Sequence, residues 1–255
     1  MKRYLKTRTA VVSGGLGDIG RAIALELARN GANVALGDVR PASDAAASLR
    51  ELESLGVVAS YDAVDVSDAT AVSQWVGAVE QKLGLATIVI PNAAIVAKAD
   101  LISLKADDWS RQLRVNLDGA FHLAQAAVGR LLHHRKPGHI VFLGSWVAQA
   151  PHPVITAYCV AKAGLRMLCQ CLALELAPHA ILVNEVAPGF VDAGVSKQIW
   201  DQNSLLREEA LRSVPVGKLI SPAEVARQVV ALCHPDNHHI TGSVVLMDGG
   251  LSLRR

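Results

Sequence analysis

The sequence predicts an α/β domain, a doubly wound seven-stranded parallel sheet with helices on both faces. Three observations predict it. Short apolar runs alternate with longer helical-period segments along the whole chain. The runs are nearly continuous in apolar residues rather than alternating, as in strands covered on both faces. A glycine-rich turn follows the first run and opens into a helix. With 51% of its 255 residues apolar and 19% charged, the chain can bury a large core. No composition shift, repeat or low-complexity tract marks a boundary, so residues 1–255 read as a single domain.

The elements follow in order. TAVVS (9–13) is the first strand, and RAIALELARN repeats its apolar residues on one helical face, predicting a helix over 19–30. NVALGD (33–38) is a second strand, followed by a helix over 42–55 and a strand in VVASYDAVDV (57–66). A helix over 68–83 leads to TIVIP (87–91), and a long helix over 107–135 leads to HIVFLG (139–144). A helix over 156–177 precedes ILVNEVAP (181–188), and one over 221–233 precedes SVVLMD (243–248). Parallel strands joined in this way require right-handed crossovers. Residues 189–220 break the rhythm: about thirty residues exceed an ordinary connection and mark a substrate loop or lid.

Several functions are excluded by composition. The net charge is +2 without a basic stripe, which argues against nucleic-acid binding. The longest apolar stretch, LATIVIPNAAIVA, is interrupted by Pro91 and Asn92, short of the roughly 18–20 residues of a membrane span. The N-terminal MKRYLKTRTAVVSGG lacks the apolar region of a secretory signal, so a soluble cytoplasmic protein is expected. Cys159, Cys169, Cys171 and Cys233 form no CxxC pair and read as reduced, mostly buried thiols. The histidines show no metal-ligand spacing, and no metal is expected.

The turn SGGLGDIG (13–20) satisfies GxGxxG between a strand and a helix. Gly14, Gly17 and Gly20 let backbone amides approach a diphosphate, and the helix starting near Ile19 adds its positive end. Asp18 is an acid in an anion-binding loop; it is expected to cap the helix amides and turn away from the diphosphate. Asp38 closes the second strand eighteen residues after Gly20, where a carboxylate hydrogen-bonds an adenosine ribose 2′-hydroxyl and repels a 2′-phosphate. The cofactor read from these residues is therefore NAD in preference to NADP, with Arg40 the one nearby cation.

Tyr158 and Lys162 are four residues apart on a helix and so share one face, and Ser145 stands just past the strand that precedes it. Each alone has a bland explanation: packing for Tyr158, a loop hydroxyl for Ser145, a backbone-bonded polar group for Asn116. Their order along the chain is what distinguishes them.

On these residues the sequence resembles the short-chain dehydrogenases/reductases of the Rossmann type, over essentially the whole chain. The resemblance rests on Ser13-Gly14…Asp18-Ile19-Gly20, Asp65-Val66, Pro91-Asn92-Ala93-Ala94, Asn116 in RVNLDGAFH, Ser145/Tyr158/Lys162, Pro188-Gly189 and Ile240–Gly250. It implies a catalytic set of Asn116, Ser145, Tyr158 and Lys162. It implies cofactor contacts from Gly14, Gly17, Asp18, Ile19, Gly20, Asp38, Asp65, Val66, Asn92, Ala93, Tyr158, Lys162, Pro188, Gly189 and Val191. Three positions depart from the family pattern: Asp18, the pair Pro91 and Ala94, and Ala193, which stands where the family has a carboxamide-binding threonine.

The chemistry implied is hydride transfer between a nicotinamide cofactor and a secondary alcohol or its ketone, with Tyr158 as general acid/base. Tyrosine titrates near 10, so a base near neutrality requires a downward shift, which the Lys162 ammonium together with the positive charge of the oxidised nicotinamide is expected to supply. Ser145 would hold the substrate oxygen, and Asn116 would place a water linking Lys162 to solvent. Substrate contacts are expected from Ser145, Trp146, His152, Tyr158 and Phe190, suiting a polyol, sugar or cyclic alcohol. The alternatives are an NADPH-dependent 3-oxoacyl-thioester reductase and, from another class, a non-catalytic NAD(H)-binding redox sensor. The resemblance further implies a homotetramer or homodimer packed through the helices at 107–135 and 156–177, where Leu165, Met167, Leu168 and Leu172 are compatible with an interface.

Overall fold

The computed structural model describes residues 3–253. Seven parallel strands form one sheet in the order β3-β2-β1-β4-β5-β6-β7. They are β1 (Thr9–Ser13), β2 (Asn33–Asp38), β3 (Ala59–Ala63), β4 (Ala86–Ile90), β5 (Gly138–Leu143), β6 (Ile181–Pro188) and β7 (Val244–Met247). The chain winds outward from β1 in both directions, so β1 and β4 flank the switch point where the crossovers diverge. Every residue of β1, β5 and β6 is buried, which explains why their sequences are largely apolar.

Helices α1 (Asp18–Arg29) and α9 (Pro222–Leu232) cover one face with Ile23, Leu27, Val225 and Val229. Helices α3 (Ala69–Leu83), α5 (Gly119–His133) and α6 (Thr156–Leu176) cover the other with Val76, Leu123, Leu131 and Leu165. Helix α2 (Ala46–Ser54) flanks β3, with its first turn, Ala42–Ala45, wound more tightly. Over Thr156–His179 the chain has the length and mean hydropathy (1.2) of a membrane span. In this fold it is α6 and the turn after it, with Lys162 and Leu165 buried against the sheet.

Two expectations need correction. The helix expected over 107–135 is broken: α4 (Ala106–Leu113) and α5 are separated by one wide turn, Arg114–Asp118, in which the Gly119 amide reaches back to Arg114 O. Such turns mark functional positions in helices, and this one holds Asn116. The loop 189–220 contains two helices, α7 (Gly194–Gln202) and α8 (Ser204–Ser213), the latter capped by Asn203, whose carboxamide oxygen accepts from Leu205 N and Leu206 N. Of the cysteines, Cys169 and Cys233 are buried, Cys159 is partly covered and Cys171 is exposed. Among the described residues no His/Cys/Asp/Glu group could hold a metal.

Candidate active site

The cleft lies at the carboxyl ends of β1, β4, β5 and β6. At β1 the glycine loop has no room for side chains. Gly14 adopts φ +63°, and a Cβ there would lie 2.8 Å from Ala93 Cα; a Cβ on Gly20 would lie 2.1 Å from Gly14 O. Gly17 caps α1 without a side chain, leaving the first amides of the helix, those of Asp18, Ile19 and Gly20, free of a side-chain partner. A bare cradle of amides at a positive helix end fits a diphosphate. Ser13 Oγ accepts from Asn92 N at 3.0 Å and Ala93 N at 3.2 Å, while Asn92 Nδ2 donates to Ser13 O and Gly14 O. Asn92 is therefore a brace between β4 and the loop.

Asp18 does not cap its own helix. It is the first helical residue, and its Oδ2 accepts from Gly194 N at 2.7 Å, the first amide of α7. The reason is positional: the carboxylate of a residue already in the helix points away from the free amides that a preceding residue would reach. Asp38 accepts from Leu16 N at 3.1 Å through Oδ2, and its Oδ1 faces Arg40 Nε at 3.5 Å. Asp65 Oδ1 is occupied by Ser67 N and Oγ, and Val66 O accepts from His122 Nδ1 at 3.0 Å. At β6, Gly189 presses its backbone against Asp248, and Val191 is buried in a bridge to Ile220.

Ser145, Tyr158 and Lys162 meet at the end of β5. Ser145 begins the turn Trp146–Ala148, and its Oγ accepts weakly from Val147 N at 3.4 Å. Lys162 is buried, with Nζ 5.5 Å from the Tyr158 ring centroid and donating to Leu143 O at 2.6 Å. Burial pushes the Tyr158 hydroxyl up to about 12, opposed by Ser145, and pushes Lys162 down to about 8, opposed by the Glu185 charge. The ammonium sits over the ring and gives up part of its own hydration, so burial dominates both groups.

Asn116 is buried and fully engaged: Oδ1 accepts from Ile95 N and Nδ2 donates to Ile95 O, both at 2.8 Å. Its carboxamide extends the backbone beyond β4.

A cavity of about 650 Å³ opens beside Ser145 and Tyr158. Its walls include Trp146, His152, Phe190, Trp200, Ile155 and Leu251, with Lys98, Ser196 and Glu209 as polar members. All five expected substrate residues line it. Trp200, expected with Phe190 as a wall residue from the 189–213 segment, lies there too, whereas Leu206 and Ala210 of α8, Ile155 and Leu251 were not foreseen from the sequence. Rings meet edge to face at 5.6 Å (Trp146–Phe190), 6.0 Å (Trp146–His152) and 6.1 Å (Phe190–Trp200).

Fold and side-chain arrangement together define a Rossmann-type oxidoreductase. A family model described as enoyl-(acyl carrier protein) reductase matches residues 15–252. The chain belongs to the short-chain dehydrogenase/reductase family. It is 33% identical over 248 residues to a 3-oxoacyl-[acyl-carrier-protein] reductase, FabG, of Thermotoga maritima, covering 97% of this chain and 98% of the relative. The corresponding FabG protein of Pseudomonas aeruginosa is 34% identical over 247 residues, covering 97% and 98%. A crystal structure of gluconate 5-dehydrogenase from Burkholderia cenocepacia, in complex with NADP and tartrate, superposes with a TM-score of 0.92 at 26% identity, covering 100% of this chain and 98% of that one.

Proposed function

We propose that the protein interconverts a secondary alcohol and its ketone with a nicotinamide dinucleotide, the substrate carrying an apolar or cyclic body. The observation that carries this reading is the convergence of Ser145 and Tyr158 on the wall of the aromatic cavity, with Lys162 behind the tyrosine ring. The bound dinucleotide would accept or donate the hydride. Ser145 Oγ holds the substrate oxygen. Tyr158, protonated at neutral pH with its hydroxyl pushed up, is set to donate its proton to the oxygen of a ketone, and Lys162 stabilises the phenolate that remains.

The proposed cofactor site comprises the glycine cradle, Asp38, Asp65-Val66, Asn92-Ala93 and Pro188–Val191. NAD is the proposed cofactor because the Asp38 carboxylate is held at the end of β2 by Leu16 N, where it opposes a 2′-phosphate. A second reading, a 3-oxoacyl-thioester reductase, is supported by the names of the FabG relatives and by Lys98 in the cavity lining. We further propose a homo-oligomer. Leu165 is core and Leu168 and Leu172 pack inward, but Val160, Met167 and Leu174 on α6 and Phe121 and Leu132 on α5 present exposed apolar surface.

The test is a screen of NAD and NADP against polyols, sugars, cyclic alcohols and 3-hydroxyacyl thioesters, repeated with Tyr158→Phe. Turnover that vanishes in the variant while NADH binding persists supports the reading. Undiminished kcat in Tyr158→Phe removes the tyrosine from the reaction, and absence of turnover with every class favours the sensor.

A further inference from the structure

Glu185 is an anomaly in its strand. It lies in ILVNEVAP with no exposed surface, on the face of β6 that packs against α6. Arg166, on α6, grips it with two hydrogen bonds, Nε to Oε2 at 3.0 Å and Nη2 to Oε1 at 3.1 Å. The remaining donors turn to the active-site turn: Nη2 to Ser145 O at 3.4 Å and Nη1 to Gln149 Oε1 at 2.8 Å. The carboxylate also fills the space beside Gly144, where a Cβ would stand 1.9 Å from Oε1. Gln149 continues the network to Ser252 Oγ at 3.3 Å, next to Leu251 in the cavity wall.

A buried ion pair is weak support for stability, because desolvation offsets its attraction and a well-packed apolar pair would serve as well. Its placement is more informative. Tyr158, Lys162 and Arg166 follow at four-residue steps along one face of α6, so the guanidinium is the third group in the row that carries the chemistry. We propose that Arg166 and Glu185 are positioning residues for the reaction: the pair ties the Gly144–Ser145 backbone to the helix bearing Tyr158 and Lys162. It thereby fixes the separation between the hydroxyl that holds the substrate oxygen and the hydroxyl that exchanges its proton.

This rests on the functional reading above, and the experiment separates the two. Glu185→Gln is compared with the wild type, alone and combined with Ser145→Ala, using the substrate of highest kcat/KM in the screen. Loosening the separation lowers kcat by about a hundred-fold while the NADH dissociation constant, read by nucleotide fluorescence, is unchanged. In the Ser145→Ala background the same change has less than about a two-fold effect, since the group it positions is gone. Additive losses, or a parallel loss of NADH affinity, overturn the proposal. Should Glu185→Gln fail to fold, the volume-conserving pair Arg166→Met with Glu185→Leu carries the test, and wild-type kcat in that folded variant overturns it. Full kcat in Ser145→Ala refutes the functional reading instead.

Discussion

Removing the Asp18 carboxylate tests whether an acid in the nucleotide loop serves the nucleotide or the lid. The bond from Gly194 N to Asp18 Oδ2 is 2.7 Å and joins residues 176 positions apart. Hydrogen bonds to charged groups contribute about 1.5–3 kcal/mol, and solvent at this exposed site reduces that to roughly 1–2. Asp18→Ala therefore weakens seating of α7 and α8 by about 5–30-fold, since 1.4 kcal/mol is a factor of ten. Trp200 and Leu206 of those helices line the cavity, so the loss falls on KM for the substrate rather than on dinucleotide binding. Asp18→Asn, which retains an acceptor oxygen, keeps most of the wild-type KM. The assays are steady-state kinetics, NADH titration, and limited trypsin digestion at Lys197 and Arg207, which accelerates when the lid loosens. Unchanged digestion and KM in Asp18→Ala, or a collapse of NADH affinity, refutes the reasoning.

Further outcomes follow from the same geometry. His139 is buried, and burial, aided by Arg8 and opposed by the Asn237 backbone, lowers it from 6.5 to about 4. The unfolded chain thus takes the proton first, and stability falls by about 3 kcal/mol as pH drops from 6.5 through 4; His139→Leu should flatten urea midpoints over that window. Asp38→Asn keeps an acceptor for Leu16 N, removes the charge and releases Arg40, so kcat/KM for NADP relative to NAD rises about ten-fold or more, and an unchanged ratio would locate discrimination elsewhere. Gly144→Ala drives a methyl into Glu185 and breaks its grip on Arg166, costing about 3–5 kcal/mol in thermal or urea unfolding; a loss under 1 kcal/mol would show that the carboxylate moves freely.

The fold was legible because parallel strands covered on both faces leave an unmistakable trace, and because Ser145, Tyr158 and Lys162 stand at fixed places in the strand–helix succession. What escaped was made by distant partners. Asp18 reads as a helix cap until Gly194 is brought beside it. Glu185 was visible as a charge in a buried run, yet its meaning depends on Arg166, which on a helix reads as ordinary surface charge. The break at Arg114–Asp118 left no mark because apolar periodicity continues on either side of it, and the helices within 189–220 were hidden by the polar residues of a segment that covers a cleft. How completely the Lys162 ammonium is buried was not legible either, because that depends on the sheet and loops packed around it.

The Ser13 hydroxyl stitches two backbone amides of the fourth strand's extension to the loop that leaves the first, across the very point where the sheet's winding reverses. The two halves of the nucleotide cleft are thus a single floor. A molecule built this way carries both sides of that floor on one hydroxyl, so a change at Ser13 is felt on both at once.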